Sequence, residues 1–486
     1  MSQEVRELAP KEMWNHFADL NAVPRPSKKE ERISAFMMEF GKSLGLETLQ
    51  DEIGNVIIRK PASKGMENKQ TVVLQSHLDM VHQKNASTNF DFNTQGIEMF
   101  VDNDWVKAKG TTLGADNGIG VASIMTVLAS DTIPHPPIEA LFTIDEETGM
   151  TGALNLKGGL LNGKILLNLD TEDDDELTIG CAGGIDVTAN GIYTSAPTPA
   201  GTQAYKITVN GLTGGHSGMD IHRNRGNANI LMNRILTDAA TKFGVHISTI
   251  DGGGLRNAIP RESVATVVVS ADAASNFEAF AKETGNAFKS EYKDTDPNLA
   301  VSLEKTDAPQ NILPADFQQK FLKSIADSTN GVYKMSQEIQ GLVQTSNNVA
   351  RILVKDGTYT VMCLTRSSVD AEKMELAEKL KTSLESAGGK VDFAGAYPGW
   401  TPKPGVAIVK IMDNLYRELY KSEPKVSACH AGLECGILGA NYPDMEMISF
   451  GPNIRGAHSP DEKVQISSVH KYWQLFLETL KHIPEN

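Results

Sequence analysis

Four cysteines in 486 residues, at positions 181, 363, 429 and 435, form no Cys-x-x-Cys pair, so neither a disulfide framework nor a cysteine-based metal or redox motif is expected. Long apolar runs are missing as well. The stretch Val121–Ala129 is interrupted by Ser123 and Thr126 and is far too short to span a bilayer. Aromatic residues amount to 6%. The start, Met-Ser-Gln-Glu-Val-Arg-Glu-Leu, has no basic segment leading into an apolar core, which predicts no signal peptide and a cytoplasmic protein without a membrane partner. Basic charge is in deficit. Lys and Arg number 46 against 61 Asp and Glu, and the resulting −15 argues against a nucleic-acid partner and favours a site that holds cations. No G-x-G-x-x-G follows a strand-like run, so a dinucleotide-dependent oxidoreductase is the weakest of the enzyme readings.

What is present is a chain 40% hydrophobic, long enough for two or three domains. In the N-terminal third, Ser27 reads as the N-cap of a helix with Ile33, Phe36, Met37, Phe40 and Leu44 on one face, stopped at Gly45. Strand-like runs follow at Val56–Arg59, Thr71–Ser76, Ile138–Ile144 and Lys164–Leu169, with a helix at Asn117–Leu128 among them. This alternation predicts an α/β fold, a three-layer catalytic domain with a mostly parallel sheet. The texture changes after the acidic run Thr171–Glu176 and the glycines of 180–184. A strand at Gln203–Val209, helix Asn224–Lys242, two strands, helix Asn276–Ser290 and strand Ala300–Glu304 precede a similar run from Asp316 to Phe393. Both runs read as split βαβ units. The α/β texture resumes with helix Val406–Leu419, strand Met445–Phe450 and helix Ile466–His482. The expected organisation is a discontinuous catalytic domain, 1–183 and 399–486, interrupted by an α+β lid and dimerisation domain at 184–398 whose two similar runs suggest a doubled unit.

Chemistry-bearing residues gather where the strands are expected to end. His77 and Asp79 follow Thr71–Ser76; Asp116 lies in the loop Gly114-Ala-Asp-Asn-Gly118; Glu146 and Glu147 follow Ile138–Ile144; Asp170 follows Lys164–Leu169; His458 follows Met445–Phe450. Ligands of open α/β sheets sit beyond the carboxyl ends of the strands, so these loops can converge. Mixed imidazole and carboxylate donors favour zinc or a similar divalent ion, and two His with three carboxylates suffice for a pair of ions if one carboxylate bridges. Neighbouring Glu146 and Glu147 point differently and need different jobs, one as ligand and one as proton acceptor. Asp79, two residues from His77, suits a carboxylate that orients the imidazole. Singly, each residue is better explained as surface or core; only the set reverses that.

The set resembles the co-catalytic zinc metallopeptidases, the family of aminoacylases, carboxypeptidase G, acetylornithine deacetylases and carnosinases. The resemblance is carried by Gln75-Ser-His-Leu-Asp-Met-Val-His82, Thr112-Leu-Gly-Ala-Asp-Asn-Gly118, Asn168-Leu-Asp-Thr-Glu172, Leu212-Thr-Gly-Gly-His-Ser-Gly218 and Ala457-His-Ser-Pro-Asp-Glu462, and it runs over essentially the whole chain. It implies two Zn2+ per subunit, replaceable by Co2+ or Mn2+, with His77 and Asp170 on one ion, Glu147 and His458 on the other, and Asp116 bridging. It further implies that Glu146 is the general base and that Asp79 orients His77. Asp170, where some relatives carry Glu, is similar to the aminopeptidase and dipeptidase branches. The resemblance as a whole implies unprotected dipeptides as substrates, with Xaa-His and β-alanyl-histidine foremost; no single residue here carries the histidine preference.

In the lid, the glycines around His216 suit a tight turn, and the resemblance implies that His216 donates to the oxyanion of the tetrahedral intermediate. The register fails G-x-S-x-G, because Met219 stands at its last position, so Ser217 is no serine nucleophile. Arg366 resembles the family arginine that grips the substrate carboxylate, a task suited to a guanidinium fork. Asn257 is a lesser candidate for substrate contact, and Gly432 is expected to offer backbone near the substrate, with His430 and Glu434 read as helix-start residues. The run Asp173–Glu176 reads as a solvated acidic loop. Relatives with single lids dimerise through them, which implies a homodimer, although a doubled lid could stand in for the partner. The rival functions are an N-acyl-amino-acid deacylase or carboxypeptidase-like amidase and, outside enzymes, a metal-dependent binding protein.

Overall fold

A computed structural model describes residues 3–486. The chain divides into two compact units. The first contains everything described up to Gly180, together with Trp400–Ala428 and Leu433–Asn486; the second contains Cys181–Gly399 and Cys429–Gly432.

The first unit is built on an eight-stranded mixed sheet. At its centre Ile138–Thr143, Val72–His77, Ile165–Asn168 and Glu446–Ser449 lie side by side and parallel. The first three of these strands are buried at every position. Burial on both faces is why they read as continuous apolar runs. On one side of this centre lie Val56–Lys60 and then Glu47–Gln50, each antiparallel to its inner neighbour; on the other lie Glu176–Cys181, antiparallel to Glu446–Ser449, and then Lys425–Cys429. The helix Ala115–Ala129 is mostly apolar and packs against Val72–His77 and the helix Lys11–Asn21. Matched registers, His77 opposite Thr143, Gln75 opposite Asn168 and Asn168 opposite Ser449, bring the carboxyl ends of the parallel strands level.

One expectation about a helix start is corrected. The helix runs Glu31–Ser43 with Glu30 at its N-cap position, and Ser27 caps nothing. Its hydroxyl donates instead to Asp79 Oδ2 at 2.8 Å. A turn at Ser27–Lys28 separates the serine from the helix, and a buried carboxylate competes better for the hydroxyl than a helix end that water can satisfy.

The second unit is a nine-stranded antiparallel sheet with helices packed on its apolar face. Strands Thr202–Asn210, His246–Gly253, Ser263–Ser270 and Ala300–Thr306, with helices Ala228–Phe243 and Ala274–Glu291, form one strand–helix–strand–strand–helix–strand motif. Gly183–Ile192, Val343–Lys355, Thr358–Ser367 and Lys390–Tyr397, with helices Ala315–Ala326 and Asp370–Glu385, form a second motif of the same order. The two motifs meet where His246–Gly253 pairs antiparallel with Val343–Lys355. The second motif takes its first strand from Gly183–Ile192, ahead of the whole first motif. Its inward Ile185, Val187 and Ala189 alternate with Asp186, Thr188 and Asn190, a period-two signal that the preceding glycines obscure.

Candidate active site

Beyond the level strand ends of the first unit, five side chains face one another. Ligand atoms of His77, Asp116 and Asp170 lie within 4.8 Å of each other, and so do those of Asp116, Glu147 and His458. Asp116 belongs to both groups. His77 Nε2 is 3.2 Å from Asp116 Oδ1 and 3.5 Å from Asp170 Oδ1; His458 Nε2 is 2.9 Å from Glu147 Oε2 and 3.5 Å from Asp116 Oδ2. Exposure is graded, from 1% for the His77 side chain to 58% for His458, so the cluster is closed at one end and open at the other.

Local geometry aims these groups. Asp79, fully buried, holds its Oδ1 3.3 Å from His77 Nδ1, which leaves Nε2 for the cluster. The same carboxylate accepts the backbone N–H groups of Glu146 (3.0 Å) and Glu147 (3.3 Å), so it orients three site residues. The chain enters Glu146 through Asp145 at φ 54°, in the left-handed region, where its carboxylate accepts the Thr148 and Thr151 hydroxyls. His458 itself has φ 66°.

The donor set fits a divalent cation. Glu147 Oε1 and Asp170 Oδ1 are buried without a hydrogen-bond donor, which is costly for a carboxylate unless a cation is to hand. Burial and neighbouring carboxylates push Asp170 up to about 7 and Glu172 up to about 8. Burial lowers the proton affinity of His77, but Asp170, Asp116 and Asp79 outweigh it and hold the imidazole well above its ordinary range. At His458 hydrogen bonds to Asp116 and Glu147 raise it to about 11. Such concentrated negative charge is the environment a divalent ion neutralises. Glu146 is raised well above the carboxylate range by burial, with Asp170, Glu434 and Glu147 adding to the rise against His77. A carboxylate raised in this way takes up a proton more readily than a free one.

Glu434 opens the helix Glu434–Asn441, as the sequence suggests, but it has a second task that the sequence does not signal. Glu434 is 1% exposed, and its Oε2 accepts Gln75 Nε2 and Thr143 Oγ1, both at 2.7 Å. It thereby ties together the strands that lead into His77 and Glu146. No local pattern signals this, because its partners lie 359 and 291 residues away.

The remaining four candidates lie in the second unit and are linked there. Gly214 (φ 67°) and Gly215 (φ 141°) make the turn before His216, a conformation that disfavours other residues. His216 pairs with Ala258 across a two-residue ladder, and Ser217 N donates to Asn257 O at 2.8 Å. The His216 ring accepts at Nδ1 from the N–H groups of Gly218 (3.2 Å) and Met219 (3.1 Å). Burial and the nearby Arg366 lower its proton affinity. The imidazole is therefore neutral with its proton on Nε2, a donor. Arg366, 5% exposed, donates from Nε to Ser217 Oγ at 3.4 Å and from Nη1 to the Tyr397 hydroxyl at 2.8 Å. Among the described residues no carboxylate pairs with it. Ser346, opposite Arg366 in the sheet, has its Oγ 2.7 Å from His430 Nε2, two residues before Gly432. Burial and Arg366 push that histidine down to about 3.

Two imidazoles and a set of buried carboxylates beyond parallel strand ends, with one carboxylate poised to accept a proton, define a metal-dependent hydrolase. The profile of Peptidase family M20/M25/M40 matches residues 73–482, and the chain belongs to that family of peptide-bond hydrolases. It is 42% identical over 481 residues, 99% of either chain, to the cytosol non-specific dipeptidase of Escherichia coli (strain K12). The crystal structure of aminoacylhistidine dipeptidase from Vibrio alginolyticus superposes with a TM-score of 0.95 at 42% identity, covering 100% of this chain and 99% of that one. The aminopeptidase PepT of Bacillus cereus, at 16% identity and a TM-score of 0.57 over 98% of this chain and 99% of its own, shares the fold. No described helix is long and apolar enough to cross a membrane.

Proposed function

We propose that this metallopeptidase is a cytoplasmic dipeptidase for unprotected dipeptides, with Xaa-His substrates including β-alanyl-histidine preferred. Two Zn2+ per subunit would be held, one by His77 and Asp170 and one by Glu147 and His458, with Asp116 common to both ligand groups. The observation that carries this is the pair of ligand groups joined through Asp116. The names of the Escherichia coli and Vibrio alginolyticus relatives support the substrate class.

Divalent ions at such a site supply polarisation of the scissile carbonyl and acidification of the attacking water. The protein's own groups do the rest. Glu146 takes a proton from the attacking water onto its carboxylate and returns it to the leaving amine. Asp79 keeps His77 Nε2 turned toward the cluster. His216 donates its Nε2 proton as a hydrogen bond to the developing oxyanion. Arg366 grips the substrate's free carboxylate and so limits substrate length, while Asn257 and the backbone at Gly432 contact the substrate. The protein is a homodimer through its second unit, a state that light scattering after gel filtration checks.

The test is hydrolysis of Ala-His, β-Ala-His, Ala-Leu and N-acetyl-Ala-His after chelation and after zinc is restored. The free dipeptides should be cut only with zinc, the His-containing ones fastest. Cleavage of the acetylated compound alone would make the protein a deacylase; no cleavage of any would leave a metal-dependent binding protein.

A further inference from the structure

Two buried charged residues outside the proposed reaction grip the loop that carries Asp116. Glu462 is 3% exposed, and its carboxylate accepts four successive backbone N–H groups. Oε2 takes those of Leu113 (2.7 Å) and Gly114 (2.9 Å); Oε1 takes those of Ala115 (2.8 Å) and Asp116 (3.2 Å). These converging donors open the helix Ala115–Ala129, where partial positive charge favours an anion. Here the anion is the chain's own side chain, brought in from 346 residues away. On the carbonyl side Arg25, 1% exposed, donates from Nη2 to Gly114 O (2.6 Å) and from Nη1 to Leu78 O (3.0 Å) and Asp79 O (3.1 Å).

We propose that Glu462 is a positioning residue for metal binding: it sets Asp116, and through it the two ligand groups, in one geometry. This rests on the metal-site reading above. Glu462 stands four residues after His458, so one carboxylate joins the turn bearing that histidine to the loop bearing Asp116. Asp116 is the residue common to both groups, and its own N–H is one of the four that Glu462 holds. A shift of residues 113–116 therefore disturbs both ion positions together. A purely structural contact would lower stability and leave metal affinity alone.

Full-length wild-type protein and Glu462→Gln are stripped of metal and titrated with Co2+ against a chelating indicator while the visible absorption is recorded. Glutamine keeps the size but turns an NH2 donor toward backbone donors. The wild type should take up two equivalents, and in Glu462→Gln both should bind about 10- to 100-fold more weakly with altered absorption, the scale typical of groups that orient metal ligands. Glu462→Asp keeps the charge with a shorter reach and should recover part of the affinity. A folded Glu462→Gln that binds Co2+ with wild-type affinity and spectrum, or weakens at one equivalent only, overturns the assignment. Should that variant not fold, Glu462→Asp carries the comparison with the same outcomes: weakening at both equivalents supports it, and wild-type affinity overturns it. Failure of the wild type to bind Co2+ would instead refute the metal site itself.

Discussion

Replacing Arg366 by methionine removes a buried cation that meets no carboxylate among the described residues, and the consequences can be worked out from its surroundings. Of the five N–H groups of a guanidinium, one goes to Ser217 and one to Tyr397. The others are available to a carboxylate, as a two-pronged grip requires. Loss of one partner from a desolvated charge pair costs about 2–5 kcal/mol, and a middle value of about 3 kcal/mol corresponds to roughly a 100-fold fall in kcat/KM. The fall should appear with Ala-His and be nearly absent with the C-terminal amide of Ala-His, which offers no charge to grip and which the wild type itself should cut poorly. Arg366→Lys should fall between, since it keeps the charge and loses the fork. Stability should not suffer, because an unpaired buried charge is a cost to the fold; thermal unfolding of the variants checks this. Equal losses on the free acid and the amide would refute carboxylate recognition by Arg366 and leave it a scaffold residue.

Two further outcomes are expected. Glu146→Gln should lower kcat by about 10²–10⁴ with the bound metal per subunit unchanged, measured by elemental analysis; near-normal turnover would remove Glu146 from proton transfer. Glu434→Gln tests a pH effect. Burial raises Glu434 from 4.5 to about 7, so the folded protein binds its proton more tightly than the unfolded chain, and stability falls as pH rises through that window. The penalty reaches at most roughly 3 kcal/mol above pH 7. Glutamine can still accept from Gln75 and Thr143, so the metal-free variant should lose less stability than the metal-free wild type between pH 4.5 and 8; parallel urea-unfolding profiles would count against it.

Much of the architecture was legible in the chain because its signals are local. Apolar runs such as Val72–Leu74 and Ile165–Leu167 report strands buried on both faces, and the mostly apolar helix after Asp116 reports a core position. The strand Gly183–Ile192 was missed because glycines blur its alternation at the start. Strand Glu176–Cys181 was missed because the acidic residues before it look like a loop. Ser27 was misjudged because a serine ahead of an amphipathic run is a local cap signal, whereas its partner is 52 residues on.

The sequence by itself determined which residue types stand at the ends of the strands, and hence that a cation-holding hydrolytic site was the reading to pursue. Motif spacing is a property of neighbours along the chain, and periodicity converts it into position. Only the tertiary structure decided that Asp116 stands in both ligand groups, that Asp79 holds the backbone of both glutamates, and that Glu434 and Glu462 serve parts of the site hundreds of residues distant. The tautomer of His216 likewise came from the backbone donors folded against its ring. The physical reason is common to all four. A buried polar group must find its partner wherever the fold supplies one, and that choice leaves no trace in the residues beside it.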